Sequence, residues 1–196
     1  MLYLGMSVKE PAYAMELHDG AFELRRYLPR VIAETRVSGT FRAAGNSGFR
    51  RLARYIFGGN RGRQKIAMTA PLGERPEGRK IAMTAPVGER AEDGSWVITF
   101  TMPSGETLAT LPEPDDAAVS LRELPSTRVA VHRSRGRWTD AKFSEQTAAL
   151  RAWTSAHGLH VAGEPEVNRY DPPWTPWFLR RNEVWIALAD QPDRTS

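Results

Sequence analysis

The stretch Gly48-Phe49-Arg50-Arg51-Leu52-Ala53-Arg54-Tyr55-Ile56-Phe57-Gly58-Gly59-Asn60 decides how the chain is read. Phe49, Leu52, Ala53 and Ile56 fall at i, i+3, i+4 and i+7, one apolar face of a helix, with Arg50, Arg51 and Arg54 on the other side. Gly58-Gly59-Asn60 then stops the helix, because Gly and Asn tolerate the left-handed conformation of a helix C-cap.

A tandem repeat follows. Lys65-Ile66-Ala67-Met68-Thr69-Ala70-Pro71-Leu72-Gly73-Glu74-Arg75 recurs as Lys80-Ile81-Ala82-Met83-Thr84-Ala85-Pro86-Val87-Gly88-Glu89-Arg90, with ten of eleven positions identical. Ile, Met and Ala ending in Pro suit a short strand. Either both copies are strands, or one is a duplication that is looped out.

The helix, Tyr55-Ile56-Phe57-Gly58-Gly59-Asn60, and then Lys80-Ile81-Ala82-Met83-Thr84-Ala85-Pro86-Val87 resemble the SOUL (haem-binding protein) family. Tyr170-Asp171-Pro172-Pro173-Trp174-Thr175-Pro176-Trp177-Phe178-Leu179-Arg180-Arg181-Asn182-Glu183-Val184 is similar to that family's C-terminal signature. The resemblance runs from about Glu23 to Leu188. It implies an α+β fold: a distorted antiparallel eight-stranded β-barrel or sheet flanked by two helices, with pseudo-two-fold symmetry. It speaks to fold more than to activity, because function lives in sites.

The 196 residues fit one domain built from two fused half-units. Residues 1–20 read as a lead-in and 21–190 as a single domain, with half-units of about 21–102 and 117–190. No run of about 18 apolar residues suggests a membrane-spanning helix. The N-terminus is a poor signal peptide, so a cytoplasmic protein is expected. The absence of cysteine excludes disulfides, thiolate catalysis, Cys-ligated zinc, iron–sulfur clusters and covalent c-type haem. The net charge of +4 comes almost wholly from Arg, with acidic residues interspersed. No basic block or nucleic-acid motif accompanies it, so a nucleic-acid partner is not expected.

In chain order, Phe22–Tyr27 and Val31–Val37 read as strands. Leu24-Arg25-Arg26-Tyr27-Leu28-Pro29-Arg30-Val31 resembles Leu121-Arg122-Glu123-Leu124-Pro125-Ser126-Thr127-Arg128-Val129. Each copy leads through a strand to a glycine, Gly39 or Gly136, and then to a helix, about Thr40–Phe57 and Thr139–Ala156. Thr139 is an N-cap and Gly158 a C′ residue. Phe143, Thr147, Leu150 and Trp153 mark the second helix's buried face. Trp96–Met102, Glu164–Tyr170 and Glu183–Leu188 are further strands. The sequence thus suggests two ββαββ units.

No zinc-protease motif, phosphate loop, dinucleotide fingerprint or nucleophile elbow occurs, and no catalytic residue set is identified. Haem binding needs an apolar slot, cations for the propionates and optionally an axial ligand. Phe49, Leu52, Ile56, Met68 and Met83 offer the slot, though the first three also suit a plain core. Arg50, Arg51 and Arg54 offer charge-assisted bonds to propionates, with Arg180 a secondary candidate. The family resemblance favours the binding reading, since its tetrapyrrole is thought to lie beside the first helix. His132, on a strand, is the candidate axial ligand; His18 is placed in a turn, and His157 and His160 flank the second helix's C-cap. The aromatic segment from Tyr170 to Trp185 reads either as a lid on a flat macrocycle or as a loop capping the barrel, with Arg180, Arg181 and Glu183 as an internal charge pair.

The leading expectation is a soluble, non-covalent binder of haem or another porphyrin in transport, buffering or hand-off. The alternatives are an enzyme acting on haem, by iron release or macrocycle cleavage, and a binder of other flat apolar molecules like the effector-binding domains of drug-responsive regulators.

Overall fold

The computed structural model of the chain describes residues 10–66, 72–76, 95–171 and 175–189. The elements run β1 (Tyr13–Asp19), β2 (Phe22–Tyr27), β3 (Arg30–Ser38), α1 (Phe41–Ile56), β4 (Leu72–Pro76), β5 (Ser95–Thr101), β6 (Val119–Leu124), β7 (Thr127–Arg135), α2 (Asp140–Ala156), β8 (Glu166–Arg169) and β9 (Arg181–Ala187). Every strand pairing is antiparallel, in the order β1-β2-β7-β9-β8-β4-β5-β3-β6.

Three expectations change. The sheet is not closed into a barrel, because β1 and β6 are left as its two edges. Nine strands form among the described residues rather than eight. The extra one is β1, from residues read as lead-in, which pairs with β2 from Tyr13↔Tyr27 to Asp19↔Phe22 and places His18 on a strand.

Local chemistry sets both helices. Thr40 caps α1 by accepting from Ala43 N at 3.4 Å, and Thr139 caps α2 by accepting from Lys142 N at 3.2 Å. Gly58, at φ 111°, ends the first helix. The Asn60 amide then ties the exit loop down: Nδ2 donates to Tyr55 O and Gln64 O, both at 2.8 Å, and Oδ1 accepts from Gln64 N at 2.9 Å. Gly48 lets α1 lie directly on β5, since a Cβ there would collide with the Ile98 side chain.

Each helix covers one half of the sheet. Leu52, Tyr55 and Ile56 of α1 pack with Val31, Ile98 and Phe100. Leu150 and Trp153 of α2 pack with Leu24, Ala130, Val184 and Ile186. The inward face of α2 carries Gln146, Leu150, Trp153 and Thr154, whereas Phe143 and Thr147 are only half-buried. The halves meet where β4 pairs with β8, from Leu72↔Arg169 to Glu74↔Val167. β4 comes from the tail of the first repeat copy. Met68, Met83 and the whole second copy lie outside the described residues.

Candidate functional site

Two places among the described residues are candidate ligand sites. The first is the outer face of α1. Phe49 is 37% exposed and meets Phe100 edge-on at 5.5 Å; Phe57, at the helix end, is 57% exposed. Phe49, Ala53 and Phe57 recur every four residues and so form one ridge. Arg50 and Arg54 are exposed and make no ion pair among the described residues. An apolar ridge flanked by two open guanidiniums suits a flat ligand with carboxylates at its edge.

The other sequence candidates on this helix are committed elsewhere. Leu52 and Ile56 are fully buried in the core of the first half, so they shape the ridge from beneath and do not line a slot. Arg51 donates to Thr35 Oγ1 at 3.0 Å and to Arg36 O at 3.3 Å, and pairs with Asp116 at 3.4 Å. It fastens α1 to β3.

The second place is a cleft of about 620 Å³ beside β7 and β9, lined by Arg133, Arg135, Tyr170, Asp171, Leu179 and Arg181 together with Glu10 and the Gly20-Ala21 turn. Beneath it lies a buried charge cluster. Arg25 Nε donates to Glu23 at 2.6 Å, and its Nη1 and Nη2 reach Glu183 at 2.8 and 2.9 Å. Glu183 also accepts from Tyr170 Oη at 2.6 Å, Trp185 Nε1 at 2.7 Å and Arg181 Nη2 at 2.7 Å. Arg133 closes the group on Glu23 at 3.1 Å.

These side chains share one face because β-strands alternate. Glu23, Arg25 and Tyr27 on β2, and Arg181, Glu183 and Trp185 on β9, point away from α2, while Leu24, Val184 and Ile186 point toward it. Burial pushes the Glu183 carboxyl up, but the Arg25 and Arg181 guanidiniums and the Tyr170 hydroxyl overcome it and hold it below the usual carboxylate range. Burial and the nearby Glu183 charge push the Tyr170 hydroxyl well up. Glu23 and Glu183 thus face Arg25, Arg133 and Arg181, and Glu10, paired with Arg181 at 2.8 Å, balances the group. The expected Arg181–Glu183 pair is present. Arg180 stands apart from it and donates from Nε to Thr175 O at 2.8 Å.

His132 lies on β7, opposite Phe22 and Val184, with its ring 4.8 Å from Phe22, which stacks on Trp153 of α2. Its buried Nδ1 has no hydrogen-bond partner, and burial lowers its pKa, so the imidazole is neutral. That is ligand-like chemistry in the wrong place for the α1 ridge: β9, β8 and β4 separate β7 from the strand under α1. Arg180 is also on the far half, held beside Gly136. No group of three or more His, Cys, Asp or Glu with metal-binding spacing occurs among the described residues. The α1 ridge therefore fits a porphyrin plane and its carboxylates and supplies no iron ligand among the described residues.

Phe57 is absent from the sequence candidates because the apolar face is read there only over Phe49, Leu52, Ala53 and Ile56. The charge cluster was missed as well. Its signal was the alternation of charge and aromatic at a period of two in Glu23-Leu24-Arg25-Arg26-Tyr27 and Arg181-Asn182-Glu183-Val184-Trp185.

Comparison with solved structures shows the fold. The EcmrR C-terminal domain matches at a TM-score of 0.63 and 10% identity, covering 87% of this chain and 98% of that one. EcmrR in its DNA complex matches at 0.63 and 11%, covering 85% of this chain and 56% of that one. A hydrolase from Listeria innocua matches at 0.55 and 11%, covering 89% and 94%. No match to a curated protein was found. The family model described as SOUL heme-binding protein matches residues 8–187, nearly the whole chain, and the protein therefore belongs to the SOUL haem-binding family.

Proposed function

We propose that this protein is a non-covalent binder of haem or a related porphyrin that acts in transport, buffering or hand-off. The observation that carries the proposal is the family match over residues 8–187. The α1 ridge supports it at the level of residues: Phe49, Ala53 and Phe57 would take the macrocycle face, and Arg50 and Arg54 the carboxylates. Among the described residues this face offers no iron ligand: His132 lies under α2, and Met68 and Met83 are outside the described residues. Binding through packing and charge alone suits a carrier, which must release its cargo, better than a redox centre.

Titration of the purified protein with hemin and, in parallel, protoporphyrin IX tests this reading. Saturable one-to-one binding of both supports it. Binding of hemin alone would transfer the site to an iron ligand. Non-saturating spectra with both would sink it.

A second reading is favoured by the cleft beside β7 and β9. Its Tyr170 and Leu179 walls and the Arg135 guanidinium suit another flat, anionic small molecule, in the manner of a regulator's effector domain. A thermal-shift screen in which apolar anions stabilise the protein and porphyrins do not would favour it.

We read the two half-units as pseudo-two-fold copies. Exchanging β2–β5 for β6–β9 turns the order β2-β7-β9-β8-β4-β5-β3-β6 into its own reverse, which supports that reading.

A further inference from the structure

The turn that leads into β9 carries Trp177, Phe178 and Leu179, exposed to 50%, 57% and 49%. It is the only run of three consecutive exposed large apolar residues among the described residues. Leu179 N donates to Pro176 O at 2.9 Å, so Trp177 and Phe178 occupy the two corner positions of a β-turn and project outward. Their rings are set edge to face at 5.8 Å. Soluble surfaces rarely leave such a run open, and a contiguous one marks a contact site.

Cations surround this tip. The Arg137 guanidinium lies 5.3 Å over the Trp177 ring. Gly136 N donates to Arg180 O at 3.0 Å, and Lys142 Nζ donates to Arg135 O at 2.8 Å. These contacts bring Arg135, Arg137, Lys142 and Arg180 to the same end of the β7–β9 ladder, where the first turn of α2 contributes only Asp140 as an acid.

We infer that this end of the molecule docks on anionic lipid bilayers, with Trp177 and Phe178 entering the headgroup–acyl boundary and the exposed Arg135 and Arg137 meeting lipid phosphates. The shape selects lipid over a folded partner. A protruding apolar corner needs a matching pocket in a protein, whereas a bilayer admits it anywhere. Tryptophan is favoured at that depth, long cationic side chains snorkel to the headgroups, and an anionic leaflet attracts each nearby cation. One short turn with a few cations gives reversible, salt-sensitive attachment and no permanent anchor. Leu179 is also a wall of the cleft beside β7 and β9, so the cleft opens next to the docking turn.

Co-sedimentation of the full chain with vesicles tests the inference. Vesicles of phosphatidylcholine alone are compared with vesicles that also contain phosphatidylglycerol. Binding is expected only to the second kind and is expected to fall as salt rises. Trp177→Ser with Phe178→Ser should abolish it, and Arg137→Glu should weaken it at least about five-fold. Leu28→Ser, which removes a comparably exposed residue at the β2–β3 turn, should leave it unchanged; thermal melts confirm that each variant is folded. Absence of binding to anionic vesicles at low salt would overturn the inference. Binding that survives loss of both aromatics would do so too. Self-association in the absence of vesicles, abolished by the Trp177 and Phe178 changes, would reassign the turn to a second copy of the chain.

Discussion

Arg25 and Glu183, 158 residues apart in sequence, meet in a two-pronged ion pair at 2.8 and 2.9 Å with both side chains fully buried. The pair joins β2 to β9 across β7 and anchors the layer of tyrosine and tryptophan around it. Removing one member strands the other charge in a dry interior. Arg25→Leu should therefore destabilise the fold by about 3–5 kcal/mol. Urea unfolding measures this, and a loss below about 1 kcal/mol would mean that water reaches Glu183.

The same carboxylate sets the acid limb of stability. Its folded pKa lies below its unfolded value, so the stability it contributes is present above the unfolded value of about 4.3 and is lost as pH falls through the folded one. Glu183→Gln should lower stability at neutral pH and flatten its decline at acid pH. Equal acid slopes for the two proteins would assign the decline to other groups.

Tyrosine ionisation provides an alkaline counterpart. Burial pushes the Tyr55 hydroxyl up to about 12 and pushes those of Tyr27 and Tyr170 up as well. Groups with raised pKa stabilise fully below the unfolded value of about 10, and that contribution is lost as pH rises through the folded values. Absorbance titration should show these three of the five tyrosines ionising late, the last with loss of the near-ultraviolet circular dichroism of the fold. Ionisation of all five near pH 10 in the folded protein would contradict the buried hydroxyl network.

The tandem repeat becomes testable through Gly73. A Cβ at this position would meet the Glu166 carboxylate and the Thr99 hydroxyl, so glycine lets both side chains keep their places on the strand that joins the two halves. The second copy carries Val87-Gly88-Glu89-Arg90 in the same order as Leu72-Gly73-Glu74-Arg75. Deleting 80–94 should leave a folded protein within about 1 kcal/mol of the parent. Deleting 65–79 should also fold, with Gly88 in the place of Gly73. Deleting both should not. Loss of folding on either single deletion would show that the copies are not interchangeable.

On α1, the arginines divide by what they touch. Arg50→Glu with Arg54→Glu should weaken hemin and protoporphyrin binding at least about ten-fold, each lost charge-assisted bond being worth roughly 1.5–3 kcal/mol. Arg51→Ala should lower the melting temperature and leave affinity nearly unchanged, since its contacts are Thr35, Arg36 and Asp116. Affinity loss in Arg51→Ala alone would return it to the site.

His132 separates the two ligand chemistries. His132→Leu should leave hemin affinity within about two-fold, because a ten-fold change already requires about 1.4 kcal/mol. Burial depresses its pKa, so its contribution to stability is present above about pH 6.5 and lost below it as the unfolded chain takes up the proton. The variant should therefore be less sensitive to mild acid. A lost Soret shift in His132→Leu would make this residue the iron ligand.

Local chemistry carried much of the fold. Phe22–Tyr27 has its expected bounds, and Thr139, Gly58 and Gly158 punctuate the helices as expected, because caps and breakers act within a few residues of themselves; Thr40, expected as the first residue of its helix, is its cap. Tyr13–Asp19 was not recognised as a strand because it is an edge strand with one partner, and its residues are nearly all exposed. Helical spacing put Leu52 and Phe49 on one face. It could not say that the first would be sealed under β5 while the second stays open.

By itself, then, the amino-acid sequence determined the family, the two helices with their caps and most of the strands, since periodicity and capping are short-range effects. Tertiary structure alone decided that the sheet stays open, that one copy's tail joins the halves, that Arg51 is fastened while Arg50 and Arg54 are not, and that Arg25 finds Glu183. Those outcomes depend on which strands lie side by side, and strand neighbours here include residues as far apart in the chain as Phe22 and His132.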